Sequence, residues 1–479
     1  MTMSLPRSTP EDQQVDPAAI LGFLDAVEEH PGIEMHSLMV VRHGHVVAEG
    51  WWAPYSAERP HLLYSLSKSF TSTAAAFAQA EGLLDLDDSV VSHFEEFAAD
   101  ISDTRSRSIK IRHVASMASG HTQDMISAAM ASDPAEPVRG FLLNPPQRDP
   151  GTVFAYNQPC TYTLASIVQR NAGMPLTRYL RPRLFEPLGI GHVGWHTWPP
   201  GREQGFSGLH ARTEDIAKLG LLYLQRGRWD GKQLIPERWV AEAAAAQVAN
   251  PGGWGPDWQQ GYGFQFWMSR HGYRGDGAFG QFCVILPEHD TVVVTTAATF
   301  EMQAMLDAMW AHLLPGLGRA VPDGGPAHHR LAARLGHLAL PACQARPAPA
   351  DWGQWTGQAF TVAAGTGGGQ AQPKVSSVTV LTGADGWQIR LGEPANSVTF
   401  PVGAGAWAVS APADEHGGSI PLAASGGWAG DGTLRAEIIF LETPHRMDLS
   451  CSLAGRRAEV SWRHPPLVEG RLQDLHCPG

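Results

Sequence analysis

Lysine is scarce in this chain, with only five among 479 residues, at positions 68, 110, 218, 232 and 374. Lys and Arg total 35 against 47 Asp and Glu, for a formal net charge of −12, and the arginines are scattered rather than massed. That balance argues against nucleic acid and anionic membrane surfaces as partners, because binding phosphate takes clustered positive charge. Cysteine is equally sparse. The five, at 160, 283, 343, 451 and 477, include no C-x-x-C pair, so neither a disulfide framework nor a zinc site is indicated and reduced thiols are expected. No stretch approaches the roughly 18 to 20 apolar residues of a membrane span. The N-terminal MTMSLPRSTPEDQQVDPAAI has no apolar run behind basic residues, so the chain reads as cytoplasmic. G-x-S-x-G is missing, which removes the commonest sign of an α/β-hydrolase. H-E-x-x-H is missing too, and no metal or organic cofactor is expected.

What the chain does have is a change of texture along its length. AAILGFLDAVEEH carries apolar residues at helical spacing, and SLMVVRHGHVVAEGWW alternates around His-Gly-His as a hairpin does. The same grammar returns later. YGFQFWMSR reads as a strand, FCVILPEHDTVVVTTAA as a hairpin turning at Pro-Glu-His-Asp, and FEMQAMLDAMWAHLL as a closing helix. Residues 65 to 250 between them are mostly helix and loop. Strands supplied from both ends around a helical insertion predict an α+β domain over residues 15–316, an antiparallel sheet flanked by helices. Residues 317–350, rich in Gly and Pro around a short helical candidate, LAARLGHLAL, read as a linker. From 351 to 479 short alternating strands, among them VSSVTVLTGADGWQIRL, LRAEIIF, MDLSCSL and AEVSWR, predict a small all-β domain. The tract AAGTGGGQAQP at 363–373 is expected to be a loop rather than a phosphate cradle, since no helix follows it.

One lysine stands where it is electrostatically unwelcome. In HLLYSLSKSFTSTAAAFAQAEGLL, Lys68 follows Ser65 by three residues at the start of an Ala-rich helix that has no acid until Glu81. Helix N-termini carry partial positive charge and favour Asp or Glu. The bland reading makes one of the serines a cap and Lys68 a solvated surface residue. The sharper one places the Ser65 hydroxyl and the Lys68 amine on one helix face, among Tyr64, Leu66 and Phe70. Burial and the dipole then push the lysine pKa down, so that a neutral amine takes the serine proton during attack on a carbonyl. The Ser65 backbone N–H at the helix start is placed to hold the resulting oxyanion.

With SLSKS, the blocks GLLDLDDSV, IKIRHVASMASGH (109–121), FAYNQPCTYTLASIVQ (154–169), GFSGLHARTEDIAKLGLLYLQRGRWDGKQLIPERWV (205–240) and GDGAFGQFCVILPEHD (275–290) occur in the order of a known family. Over about residues 20 to 315 the chain resembles the serine β-lactamase and penicillin-binding-protein superfamily. The nearest branch holds class C β-lactamases, D,D-peptidases, family VIII esterases and aminohexanoate-oligomer hydrolases. The resemblance implies an acyl-enzyme mechanism with Tyr156 as the third catalytic residue, a phenol sharing proton transfer with Lys68 and serving the leaving group. It also implies an oxyanion hole from the backbone N–H groups of Ser65 and Ala278. Two departures mark this chain. Gln158 stands where the family has a short polar residue, and Arg274-Gly-Asp276-Gly277-Ala278 stands where lactamases carry Lys-Thr-Gly. Gln158, Arg274, Asp276 and Gly277 are therefore the candidate substrate-binding positions, Arg274 as a replacement cation and Asp276 as a group for an amine or a loop anchor. The aromatic residues around them, Trp254, Trp258, Tyr262, Phe264, Trp267, Tyr273 and Phe279, are split between pocket lining and core. His113, His121 and Cys160 are expected to be structural. The C-terminal part is similar to lipocalin-like β domains. The expected activity is hydrolysis of a small-molecule or peptide-like ester or amide in preference to a β-lactam. The alternatives are a D,D-peptidase or D-aminopeptidase, and a non-enzyme that is acylated without turnover. Oligomeric state is left open.

Overall fold

The computed structural model describes residues 4–344, 346, 352–362, 373–383, 386–413, 418–429, 432–468 and 470–479. The first helix, α1 (Pro17–Glu29), starts where the sequence places a cap and a proline: the Asp16 carboxylate accepts from the Ala18 N–H at 2.9 Å, and Pro17 is the first helical residue. Strands β1 (Ile33–Arg42) and β2 (His45–Trp51) follow, joined by His43 and Gly44. Both turn residues have positive φ, 47° and 77°, as a two-residue hairpin with the correct twist demands.

The insertion then supplies α2 (Ser67–Ala80), α3 (Gln158–Ala172) and α4 (Thr213–Leu224). The chain returns to the sheet through β3 (Trp267–Met268), β4 (Tyr273–Gly277), β5 (Gln281–Leu286) and β6 (Thr291–Thr299). The six strands lie in the order β2-β1-β6-β5-β4-β3, and β3 to β6 pair antiparallel in succession. Every residue of β5 and β6 is buried, with α4 packed across β1 and β5. The β5–β6 turn is the expected Pro287–His289 with Asp290 left-handed at φ 46°.

Three expectations are corrected. YGFQFWMSR contributes only the two-residue β3, because Gln265 sits at φ 65° and its side chain serves as a tie. Its amide donates to the Val114 and Ala115 carbonyls at 3.1 and 2.8 Å and accepts from the Thr161 hydroxyl at 2.6 Å. A segment whose polar groups are spent on neighbouring helices is not free to extend the ladder. The closing helix starts as α5 (Met302–Ala308) and widens into a π turn at Met309–Leu313. The next helix, α6 (Pro326–Leu335), begins five residues ahead of the predicted LAARLGHLAL, with proline at its first position.

The C-terminal strands are β7 (Ala359–Val362), β8 (Ser377–Gly383), β9 (Gly386–Gly392), β10 (Ser397–Val402), β11 (Ala408–Ser410), β12 (Leu422–Trp428), β13 (Leu434–Phe440), β14 (Arg446–Ser452) and β15 (Arg457–His464). Their order is β10-β9-β8-β7-β15-β14-β13-β12-β11. The sheet curls until Gly403, just past β10, meets β12: the Gly403 N–H donates to the Ala424 carbonyl at 3.1 Å and the Gly426 N–H to the Gly403 carbonyl at 2.9 Å. That nearly closes it and removes most free edge. Its interior is filled by Trp355, Phe360, Ile389, Phe400, Ile438 and Phe440 among others, all buried. Residues 363–372 of the glycine-rich tract, and 384 and 385 of the Ala-Asp-Gly turn, lie outside the described residues.

The chain clusters into two compact units. One comprises Met1–Gly50, Leu63–Thr296 and Phe300–Gly336; the other comprises Trp51–Leu62, Ala297–Thr299 and His337–Gly479. The short segment Trp51–Leu62 is stitched into the second unit by the Ala53 N–H to the Leu338 carbonyl (3.0 Å), the Leu340 N–H to the Ala53 carbonyl (2.8 Å) and the Leu62 N–H to the Glu442 carbonyl (2.8 Å). The architecture is therefore mixed α/β with antiparallel sheets, followed by a nearly closed β domain. Among the described residues no helix is long and apolar enough to cross a membrane.

Candidate active site

The Ser65 turn differs locally from the sequence reading. The α-helix starts at Ser67, and Ser65 lies in a 3₁₀ turn, Tyr64–Leu66, ahead of it. Tyr64 enters that turn at φ 48°, an uncommon conformation for a bulky residue. The tighter turn still leaves serine and lysine in contact, with Lys68 Nζ 3.0 Å from Ser65 Oγ.

Lys68 is not the solvated residue of the bland reading. It is 1 % exposed, and burial brings its pKa down to about 7, against the opposing pull of Asp124 and Asp276. Its other two contacts are the Gln158 side-chain oxygen at 2.7 Å and the Phe206 carbonyl at 2.8 Å. Those two oxygens only accept. A neutral amine has two N–H donors and one lone pair. When both donors serve Gln158 and Phe206, the lone pair is left for Ser65, the one neighbour able to donate in return.

Tyr156 completes the group. Its ring centroid is 4.7 Å from Lys68 Nζ, and its hydroxyl hydrogen-bonds with Ser65. Burial drives the phenol well above its ordinary value despite that hydrogen bond, so it stays protonated. The ring is stacked on Trp267 at 5.2 Å and meets Trp254 and Tyr262 edge-on at 5.8 and 6.3 Å.

The end of β4 presses on the Ser65 turn. A Cβ on Gly277 would lie 2.1 Å from the Leu63 carbonyl and 3.1 Å from the Leu66 nitrogen, so only glycine permits this approach. The contact brings the following residue, Ala278, beside the turn that carries the Ser65 N–H. The Ala278 carbonyl is occupied by the Gln281 side-chain amide at 2.9 Å.

The remaining sequence candidates divide. Gln158 is the first residue of α3 and holds the lysine. Asp276 is 8 % exposed and within electrostatic reach of Lys68. Arg274 has no exposed surface. Its guanidinium donates to Asp276 at 2.9 Å, to the Asp257 carbonyl at 2.8 Å and to Ser269, and lies 4.5 Å from the Trp258 ring centroid. Burial lowers the Arg274 pKa and raises that of Asp276, each opposed by the other's charge. The arginine is ion-paired with Asp276, its Nη2 2.9 Å from that carboxylate, and has no exposed surface to offer a ligand.

Sequence reasoning missed Asp124. Its Oδ1 accepts from the Gln158 N–H at 3.0 Å and the Ile126 N–H at 3.2 Å, at the start of α3. It lies in HTQDM, next to a recognised block but with no pattern of its own. The Phe206 carbonyl was missed for a plainer reason, since a backbone acceptor leaves no trace in side-chain identity. His113 accepts from the Lys110 N–H at 3.1 Å; His121 bridges Ser119 Oγ at 2.9 Å and the Asn144 carbonyl at 2.8 Å. Cys160 is fully buried, its thiol pushed up to about 12 by burial, which leaves it inert as a nucleophile.

The β-lactamase family model matches residues 23–315. The chain belongs to the β-lactamase family of hydrolases. Among curated proteins it is similar to the 6-aminohexanoate-dimer hydrolase of Paenarthrobacter ureafaciens, 25 % identical over 287 residues, covering 54 % of this chain and 71 % of that protein. Among solved structures it shares its fold with EstCE1, a hydrolase with promiscuous acyltransferase activity, at a TM-score of 0.50 and 18 % identity, covering 61 % of this chain and 98 % of the other. It likewise shares its fold with SurE solved with D-Leu, at a TM-score of 0.50 and 19 % identity, covering 89 % and 97 %.

Proposed function

We propose that this chain is a serine hydrolase that cleaves small esters or amides through an acyl-enzyme on Ser65. The observation that carries the reading is the buried Lys68 amine, with two acceptor-only partners and Ser65 as its third. As Ser65 Oγ bonds to the substrate carbonyl carbon, its proton passes to Lys68 Nζ. The negative oxygen is held by the N–H groups of Ser65 and Ala278. Collapse breaks the bond to the leaving group, which takes the Tyr156 proton, and Lys68 returns one to the phenol. Water then attacks the ester in the reverse sense and frees the acid.

Esters and amides rank above β-lactams because Arg274 is buried and paired with Asp276, which leaves no exposed cation at the third motif for a carboxylate. No step calls on a metal or organic cofactor, and the partner is a small-molecule or peptide-like acyl compound. The C-terminal sheet, closed to one short gap around a packed interior, is taken as a lipocalin-like domain with a stabilising role.

The test is intact-mass analysis after a fluorophosphonate, with Ser65→Ala beside the native chain, followed by turnover of an ester and amide panel. A single adduct on the native chain only, with Ser65-dependent release of acid, supports the proposal. An adduct that persists in Ser65→Ala removes the nucleophile.

A further inference from the structure

Two bulky residues beside the nucleophile hold a backbone conformation that suits glycine, and each adjoins one of the two N–H groups assigned to the oxyanion. Tyr64, at φ 48°, precedes Ser65; Phe279, at φ 67°, follows Ala278. Large L residues are disfavoured in this left-handed region, because the β-carbon crowds the backbone carbonyl. Such strain persists only where the surrounding structure over-determines it, and it gathers at functional sites. Glycine at 279 would make the same turn without strain, as Gly280 does beside it at φ 88°.

The two rings meet. Tyr64 and Phe279 are both buried, with ring centroids 5.4 Å apart and planes at 66°, an edge-to-face contact. The rest of the turn between β4 and β5 is tied to its own sheet. Gly277 and Gln281 are its last paired residues, the Gln281 amide donates to the Ala278 carbonyl at 2.9 Å, and the Thr295 hydroxyl donates to the Gly280 carbonyl at 2.9 Å. Gly277 lets β4 come close to the Ser65 turn, its virtual Cβ 2.1 Å from the Leu63 carbonyl. The ring pair adds a contact between the residues next to the donors themselves.

We propose that the Tyr64–Phe279 ring pair is a strut that sets the spacing and aim of the Ser65 and Ala278 N–H groups, which makes both aromatic residues positioning residues for the oxyanion. The proposal rests on the hydrolase reading above and deepens it. Donors fixed before the reaction stabilise charge that appears only as the carbonyl carbon becomes tetrahedral. Loss of the strut therefore weakens binding of the tetrahedral adduct and leaves ground-state binding alone.

The experiment compares the native chain with Phe279→Leu, Phe279→Gly, Tyr64→Leu and the double variant Tyr64→Leu with Phe279→Leu. It measures hydrolysis of an uncharged p-nitrophenyl ester, inhibition by an aryl trifluoromethyl ketone and by the matching secondary alcohol, and thermal unfolding. Ser65 Oγ adds to the ketone carbon, its proton passes to Lys68 and the ketone oxygen becomes the oxyanion; the alcohol cannot take this step. Each single substitution lowers kcat/KM by about 10-fold or more and raises the ketone Ki by a similar factor, with the alcohol Ki unchanged. The double variant loses no more than about the larger single loss, since either substitution removes the same contact. Phe279→Gly relieves the left-handed strain, so its thermal midpoint stands at or above that of Phe279→Leu while its activity is no higher. Should Phe279→Gly fail to fold, the leucine series decides alone. Activity within about 2-fold of native in the single variants, equal weakening of ketone and alcohol, or additive losses in the double variant overturns the proposal. When the native chain turns over the ester and binds the ketone but the variants match it, the hydrolase reading stands and only the strut falls, whereas a native chain that does neither removes both.

Discussion

The lysine can be interrogated by changing nothing but pH. Lys68 is buried, and its pKa falls from the ordinary 10.5 to about 7 because burial outweighs the attraction of Asp124 and Asp276. A displacement of that size corresponds to about 5 kcal/mol of disfavoured charge, at about 1.36 kcal/mol per pH unit. If the neutral amine is the base, activity follows its neutral fraction: about one half at pH 7, about a tenth at pH 6 and about a hundredth at pH 5. The profile of kcat/KM for an uncharged ester, which reports the free enzyme, should therefore rise with unit slope and level off above about pH 8. Tyr156 stays protonated throughout, so no basic limb arises from it. Lys68→Arg, whose group cannot lose its proton, should be inactive across the range. The sign of the stability linkage follows from the same numbers. Between about pH 7 and 10.5 the unfolded chain binds the proton and the folded one does not, so stability relative to Lys68→Met rises with pH through that window. The penalty is fully present below it. A flat activity profile from pH 5.5 to 8.5, or an acid limb centred near the usual lysine value, would refute the neutral-amine argument.

Other outcomes follow from single contacts. Tyr156→Phe keeps the stack on Trp267 and removes the proton donor, so kcat should fall by about 10² or more with little change in thermal midpoint. Gln158→Leu takes away an acceptor 2.7 Å from Lys68 and frees an N–H to donate to Ser65, which should cost about 10-fold or more in kcat/KM, with Gln158→Asn recovering part of it. Gly277→Ala drives a methyl into the Leu63 carbonyl at 2.1 Å; denaturation should show a loss of about 1 to 3 kcal/mol, and labelling of Ser65 should slow. Asp257 is buried, and although burial raises its pKa, its hydrogen bonds to Arg270, Gln303 and Trp310 win and hold it at about 2. It therefore stabilises the fold above about pH 4. That contribution should disappear as pH falls toward 2, and acid denaturation of Asp257→Asn beside the native chain measures it.

Much of this molecule is written in local pattern. Period-two alternation around His43-Gly44 and around Pro287–Asp290 encodes two hairpins, because backbone twist and turn chemistry are decided within a few residues. The C-terminal strands read equally well, each carrying its own alternation. Ser65, Lys68 and Tyr156 were legible as well, the first two through a cation at an unfavourable helix end and the third through resemblance. What local pattern does not encode is where polar side chains spend their hydrogen bonds. YGFQFWMSR looks like a strand until Gln265 is seen tied to two distant segments, at Val114–Ala115 and at Thr161, and Arg274 looks like a free cation until Asp276, Ser269 and the Asp257 carbonyl close around it.

The sequence by itself determined many of the element types, the two textures of the chain and the candidate pair Ser65 and Lys68, since these depend on neighbours close along the backbone. Only the tertiary structure decided that Lys68 is dry, that it meets Gln158 and the Phe206 carbonyl, and that Asp124 anchors the backbone N–H of Gln158. Burial and the direction of a lone pair depend on groups 90 and 138 residues away along the chain. Nothing in a linear pattern records distances of that kind.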